Sequence, residues 1–393
     1  MFKGNRSLLI IALIAVVNAL GYGIIIPILY SYSQKYGLND FQNGLLFSLF
    51  SLCQFFSTPV IGRLSDKYGR KPLLIISLLG TVGSFITMAF APSAIFLFLA
   101  RAIDGITAGN VPVATAVISD TTEPKDRARG FGIIGAAFGF GFVAGPAISA
   151  ITVGINQSLP FLISAAITLV ATILTWTMLP ETNKNLGEVK HTKLFDFPKL
   201  AKAILDENVG NTLLVTLFFS LAFGLLIFAY QPFATKILNL DAARISLNFT
   251  IFGIVGLLAQ GFLIPQISKR VIDKKLLMDA LVVAAASFFG MFIARSYLFF
   301  IISSVFVSLS NSFVQPLTQS LLSKETDEKS QGEIMGINTS YMSIGTILGP
   351  IIGGFLATYS IPSPFLGGSL LSLICVFLAY RIFSKREKLV SLE

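Results

Sequence analysis

Apolar residues run along this chain in long blocks rather than at the period of a strand or a half-buried helix. The blocks cover roughly residues 7–30, 42–61, 73–91, 94–118, 130–153, 159–179, 211–235, 245–266, 277–295, 297–322, 334–358 and 364–383. Each is close to the ~20 residues that a helix needs to cross the hydrocarbon of a bilayer. The pattern predicts an all-α membrane protein of twelve transmembrane helices, with both termini on one side. The single long polar stretch, 181–208, divides the chain into an N-terminal bundle over 1–180 and a C-terminal bundle over 209–393. That stretch reads as a cytoplasmic linker with a short helix along the membrane surface.

The two halves repeat. A shift of 204 positions lays Pro112 on Pro316, Ser119 on Ser323, Gly132 on Gly336, Gly141 on Gly345, Gly145 on Gly349 and Pro146 on Pro350. Coincidences at one offset point to duplication, and hence to two pseudo-symmetric six-helix bundles. Repeats around a central site are transporter architecture; a receptor or membrane enzyme has no need of them.

Composition agrees. Hydrophobic residues make up 54% of the 393 positions and charged ones 12%, against about 25% charged in soluble domains. A net charge of +9 raises the question of nucleic acid, but the positions answer it. Of 29 cations, 24 fall in the termini and alternate loops, four (Lys35, Lys236, Arg244, Arg295) in the opposite loops, and Arg101 inside a block. That is the positive-inside pattern; it excludes nucleic acid and puts both termini in the cytoplasm. Block one is too long for a signal-peptide core and should stay as a span. Cys53 and Cys375 sit far apart in apolar blocks and His191 in the linker, so neither a disulfide nor a metal site is expected. No phosphate-cradling Gly-x4-Gly-Lys-Ser/Thr loop occurs, so ATP is not the energy source. The reading is a transporter without cofactor, not an enzyme, working on a small molecule and protons as a monomer in the lipid bilayer.

The densest charge in the first hundred residues is Gly62-Arg63-Leu64-Ser65-Asp66-Lys67-Tyr68-Gly69-Arg70-Lys71-Pro72. Two glycines allow a sharp turn, and Pro72 suits the first turn of the next helix. Asp66 is placed to cap a facing helix N-terminus, and Asp120, just after block four, to pair with Arg70.

Ionisable residues inside hydrocarbon are costly and so draw attention. Arg101 and Asp104 lie three apart in block four and share a helix face. Either they face a cavity, Asp104 binding a proton or a cationic substrate with Arg101 modulating it, or they neutralise each other as a structural bridge. Asn18, Tyr22, Asn110, Tyr230, Gln260, Asn311, Gln315, Asn338 and Tyr341 outline a modestly polar, aromatic cavity; each could equally be interhelical glue. Gly141, Gly145 and Pro146, repeated as Gly345, Gly349 and Pro350, allow close helix approach followed by a bend. Repetition of the bend favours a moving interface over ordinary packing.

The loop from Gly62 to Pro72 resembles the signature loop of the major facilitator superfamily. Leu97 to Gly109, with Arg101 and Gly105, resembles that superfamily's span-four motif, and Gly141 to Pro146 its antiporter motif. Asn18 to Pro27 and Asp104 to Thr122 are similar to the tetracycline-efflux type of drug:proton antiporter. The resemblance implies a rocker-switch transporter in which Asp66 docks at the start of span eleven, Arg70 pairs with Asp120, and Arg101 serves proton coupling. The chain departs from those pumps where they carry membrane carboxylates: Asn18 and Ser84 replace two of them, and Asp279 sits too near the end of span nine to supply a third. The loop between spans eight and nine keeps Lys269, Arg270, Lys274 and Lys275 but lacks the aspartate and the glycine turn. Proton-coupled export of an amphipathic drug or metabolite through Asp104 is the favoured reading. A facilitator or importer of a sugar-like metabolite is the alternative, and a sensor on a transporter frame a third.

Overall fold

The computed structural model describes the backbone of residues 2–123, 126–183, 186–187, 195–267, 273–327 and 330–390, and their side chains apart from 2–6, 128–129 and 383–390. His191, Lys269, Arg270 and parts of the expected linker (184–185, 188–194) lie outside the described residues. Among the described residues twelve helices are long and apolar enough to cross a membrane. In order they are Ser7–Ile25, Asp40–Tyr68, Arg70–Ala89, Ala94–Thr121, Gly130–Thr152, Leu159–Met178, Gly210–Lys236, Ala242–Ile267, Asp273–Ile293, Tyr297–Glu325, Gln331–Tyr359 and Ser363–Ile382, called spans one to twelve below. A linker helix, Phe197–Ile204, precedes span seven. The all-α membrane class expected from the sequence is what the chain adopts.

Prolines shape the departures from regular helix. Span one ends at Ile25, and after a turn a short helix, Leu29–Gln34, follows; Pro27 has no N–H to continue the ladder. Span four is two helices, Ala94–Thr107 and Val111–Thr121, joined by a 3-10 turn at Ala108–Asn110. Pro112 cannot bond the carbonyl four residues back, and that carbonyl, on Ala108, instead accepts from Gln54 Nε2 at 3.1 Å. Span eight contains a π-turn over Ala259–Leu263, just before Pro265.

The chain forms two compact units. One holds Met1–Asn39, Leu49–Leu194 and Leu240–Gly253; the other holds Asp40–Ser48, Phe195–Asn239 and Ile254–Glu393. In the first, Ile10, Ile14 and Val17 of span one lie fully buried in a cluster with Leu74 and Leu78 of span three, Val113 and Val117 of span four and Ala171 of span six. Span five closes on span one through small residues. A Cβ added to Gly141 would meet Ala19 Cβ at 2.5 Å, and one added to Gly145 would lie 3.0 Å from Gly23 Cα. The second unit repeats this seam between spans seven and eleven. A Cβ on Gly345 would meet Ser220 Cβ at 2.6 Å, and one on Gly349 would meet Gly224 Cα at 2.6 Å. The glycines of both repeats are thus packed inside their own unit, where hydrocarbon offers no hydrophobic drive and close van der Waals contact must hold helices together.

The start of span two belongs to the second unit. Lys236 Nζ contacts both Asp40 oxygens at 2.9 and 3.0 Å, and Ser48 Oγ donates to the Ile347 carbonyl at 2.6 Å. Gly44 lets span two approach the Pro350 carbonyl.

Substitution Gly349→Val should destabilise the second unit by ~1–3 kcal/mol through overpacking. Gly336→Ala, with nothing within 4 Å of the added Cβ, should be close to neutral. Thermal unfolding of the purified protein in detergent compares the two.

Candidate functional site

The buried ion pair sits just before the break in span four. Arg101 Nη1 lies 3.3 Å from Asp104 Oδ2, with the residues 2% and 5% exposed. The guanidinium stacks over the Phe50 ring at 4.5 Å from its centroid, a cation–π contact that strengthens when both groups are dry. Tyr22 touches Phe50 at 5.8 Å and Phe142 edge-on at 5.9 Å between centroids. Span one, span two and span five thus supply an aromatic wall beside one cation and one anion. Arg101 Nε is enclosed without a hydrogen-bond partner among the described residues.

Small residues make this arrangement possible. Gly105 lets the Phe50 backbone press against span four, and a Cβ at Gly109 would meet Ser57 Oγ at 2.6 Å. On the opposite face Gly80 accommodates Thr107, whose Oγ1 lies 3.0 Å from Thr81 Oγ1. Ser84 Oγ donates to the Ala100 carbonyl at 2.9 Å. Span four is therefore held from both sides, at Ala100 next to Arg101 and over Gly105–Gly109 beyond it. At the break itself, Asn18 Nδ2 donates to Asn110 Oδ1 at 2.9 Å. Asn110 is fully buried and its own Nδ2 has no partner among the described residues.

The loop between spans two and three is a compact charge network. Arg70 Nη1 donates to Asp66 Oδ1 and to Ser65 Oγ, each at 2.6 Å, and Arg70 Nε reaches Asp120 Oδ2 at 3.4 Å. Thr182 Oγ1 donates to the same Asp120 oxygen at 3.2 Å. Gly62 faces Pro112. Gly69 has φ +106°, and a side chain there would run into Glu181. The carboxylate that caps a helix start is Glu181, which accepts from Arg70 N at 2.9 Å and Lys71 N at 3.0 Å. Sequence reasoning missed it. What the residues offered was a carboxylate just past span six and two cations, Arg70 and Lys71, at the start of span three.

In the second unit the expected cavity residues scatter. Tyr230 is wholly buried, its ring 4.9 Å from Phe300 within a group that includes Phe233 and Phe365. Tyr341 is buried and donates to the Leu200 carbonyl of the linker helix at 2.6 Å. Asn338 is buried and Asn311 half-buried, and each has its Oδ1 enclosed without a partner among the described residues. Gln315 and Gln260 are exposed, the latter in the π-turn of span eight.

The same repeat extends beyond geometry. The Major Facilitator Superfamily family model matches residues 11–211 and again 212–392. The chain belongs to the major facilitator superfamily. As a member of it, the protein is a multi-pass membrane transporter and not an enzyme. It is 28% identical to the class H tetracycline resistance protein of Pasteurella multocida, over 91% of this chain and 90% of that protein. It is 29% identical to Multidrug resistance protein 1 of Bacillus subtilis strain 168, covering 93% of each. Its fold matches that of the nucleoside transporter NupG with TM-score 0.82 at 15% identity, over 96% of this chain and 100% of that one. The human organic anion transporter MFSD10 matches with TM-score 0.70 at 19% identity, over 96% and 99%.

Glu181→Gln removes the charge and one of the two acceptors, since its NH2 cannot accept from a backbone N–H, so it should weaken the cap on span three; Glu181→Ala removes both acceptors and should cost at least as much, on the order of 1 kcal/mol. Unfolding midpoints of both variants against the unaltered protein measure the difference.

Proposed function

We propose that this transporter exports an amphipathic organic molecule in exchange for protons, by rocker-switch alternating access between an N-terminal bundle (1–180) and a C-terminal bundle (209–393). The observation that carries it is the Arg101–Asp104 pair against the Tyr22–Phe50–Phe142 wall. A carboxylate in such a place cannot stay charged without a partner. Asp104 is satisfied by a proton, by Arg101, or by a cationic substrate, and these compete. Aromatic faces beside it suit flat, apolar molecules bearing a cation. The tetracycline and multidrug resistance proteins among the relatives support a drug-like substrate class. Both glycine seams bind helices tightly inside a unit, which favours units that rock as bodies. The face carrying the Asp66–Arg70–Asp120 network is assigned to the cytoplasm of the bacterial inner membrane, with both termini; the network is its gate, and one chain suffices.

A second reading rests on the same pair. Asp104 already has Arg101 at 3.3 Å, so the pair is self-neutralised as it stands. A facilitator of a neutral metabolite would use it as a structural bridge.

Proteoliposomes with an internal pH dye separate the two. With ethidium, tetracycline and a neutral amphiphile as probes, the exporter moves protons when one probe is present, and Asp104→Asn lowers that proton flux at least ten-fold. Probe flux that ignores the pH gradient and survives Asp104→Asn selects the facilitator.

A further inference from the structure

The linker helix Phe197–Ile204 lies outside every span, yet the second unit grips it. Asp196 caps its start, accepting from Lys199 N at 3.2 Å. Lys199 Nζ reaches Glu333 Oε2 of span eleven at 2.6 Å. Tyr341, about two turns further along span eleven, donates to the Leu200 carbonyl at 2.6 Å. Leu200, Ala203 and Ile204 pack onto a cluster built from Leu213 of span seven, Leu322 of span ten, and Ile334 and Ile337 of span eleven.

The turn from this helix into span seven is equally tight. Asp206 Oδ1 accepts from Asn208 N at 2.8 Å and Val209 N at 3.1 Å. Gly210, the first residue of span seven, lies so close to the Ile204 carbonyl that a side chain has no room. Beside the helix a cavity of about 380 Å³ opens, with Lys202, Asp206 and Asp327 in its wall. The helix is therefore not wedged from that side, and its hold depends on the contacts just given.

We infer that helix 197–204 is a strap: it fastens the first third of span eleven to the start of span seven, so that the two move as one piece. The fastened part of span eleven ends short of Gly345, Gly349 and Pro350, where the seam with span seven begins. Strap and seam together join these spans along most of their length. Tyr341 is then an anchor of the strap rather than a wall of the substrate cavity. This assignment stands apart from the proton and substrate readings above.

Hydrogen–deuterium exchange on the full-length protein in nanodiscs tests it without a substrate. Amides of Leu200–Ile204 and of Ile334–Tyr341 should be protected together. Tyr341→Phe, which removes one hydrogen bond and keeps the ring, should speed exchange in both segments on the order of five-fold. Peptides from spans three and six serve as the check on folding and should not change. Glu333→Gln provides a second release point with the same expected pattern. Fast exchange of Leu200–Ile204 in the unaltered protein overturns the inference. So does a rise confined to the linker helix in both variants, or no rise in either; a cavity role for Tyr341 gives the last result with an altered KM for transport.

Discussion

A backbone polar group in hydrocarbon has no water to turn to, and most of this architecture follows from that constraint. Helices satisfy it, which is why the described spans are helical throughout. A proline removes one bond from the ladder, and in spans four and eight side chains or altered turns stand at the gap. Gln54 takes the carbonyl freed before Pro112, and Ser57 Oγ lies 3.4 Å from the Gly105 carbonyl. A π-turn accommodates Pro265 in span eight. Span six shows the same economy among its hydroxyls: Ser164, Thr168, Thr172 and Thr175 each donate to the carbonyl four residues back.

Side chains meet the constraint more expensively. Arg101 and Asp104 are both inside the first unit, and a buried pair repays desolvation only with good geometry and further bonds. One contact of 3.3 Å, a ring face and an unmatched Nε are modest repayment. A group held this way costs stability. The break in span four lies within a turn of Asp104, so the helix is least regular where the charges sit. In the proposed cycle that irregularity lets the pair part and re-form without disturbing the glycine contacts that brace span four at Gly105 and Gly109.

Much of the fold was legible because bilayer thickness sets helix length, and length in turn shows as apolar blocks. Spans, the duplication and the family loop followed from that and from residue type at fixed spacing. The Arg70–Asp120 contact was readable because charges at the ends of adjacent spans have few other places to go. Polar residues in the second half were harder. Asn, Gln and Tyr serve as cavity wall or interhelical glue with the same composition. Tyr230 turned out to lie in an aromatic core and Tyr341 against the linker helix, distinctions set by rotational phase of the helix and by a partner 141 residues away. Glu181 was missed for a related reason: capping depends on where a loop returns, which spacing does not encode. The attachment of the start of span two to the second unit through Asp40 and Lys236 was equally invisible.

The central claim is that proton and substrate compete for one site at Asp104. Purified protein in weakly buffered detergent, with a pH dye and a titration of bound probe in the same cuvette, tests it most directly. The account predicts that substrate binding releases protons, more of them as the pH is lowered, and that Asp104→Asn binds without release. Substrate binding to the unaltered protein with no proton released would contradict it.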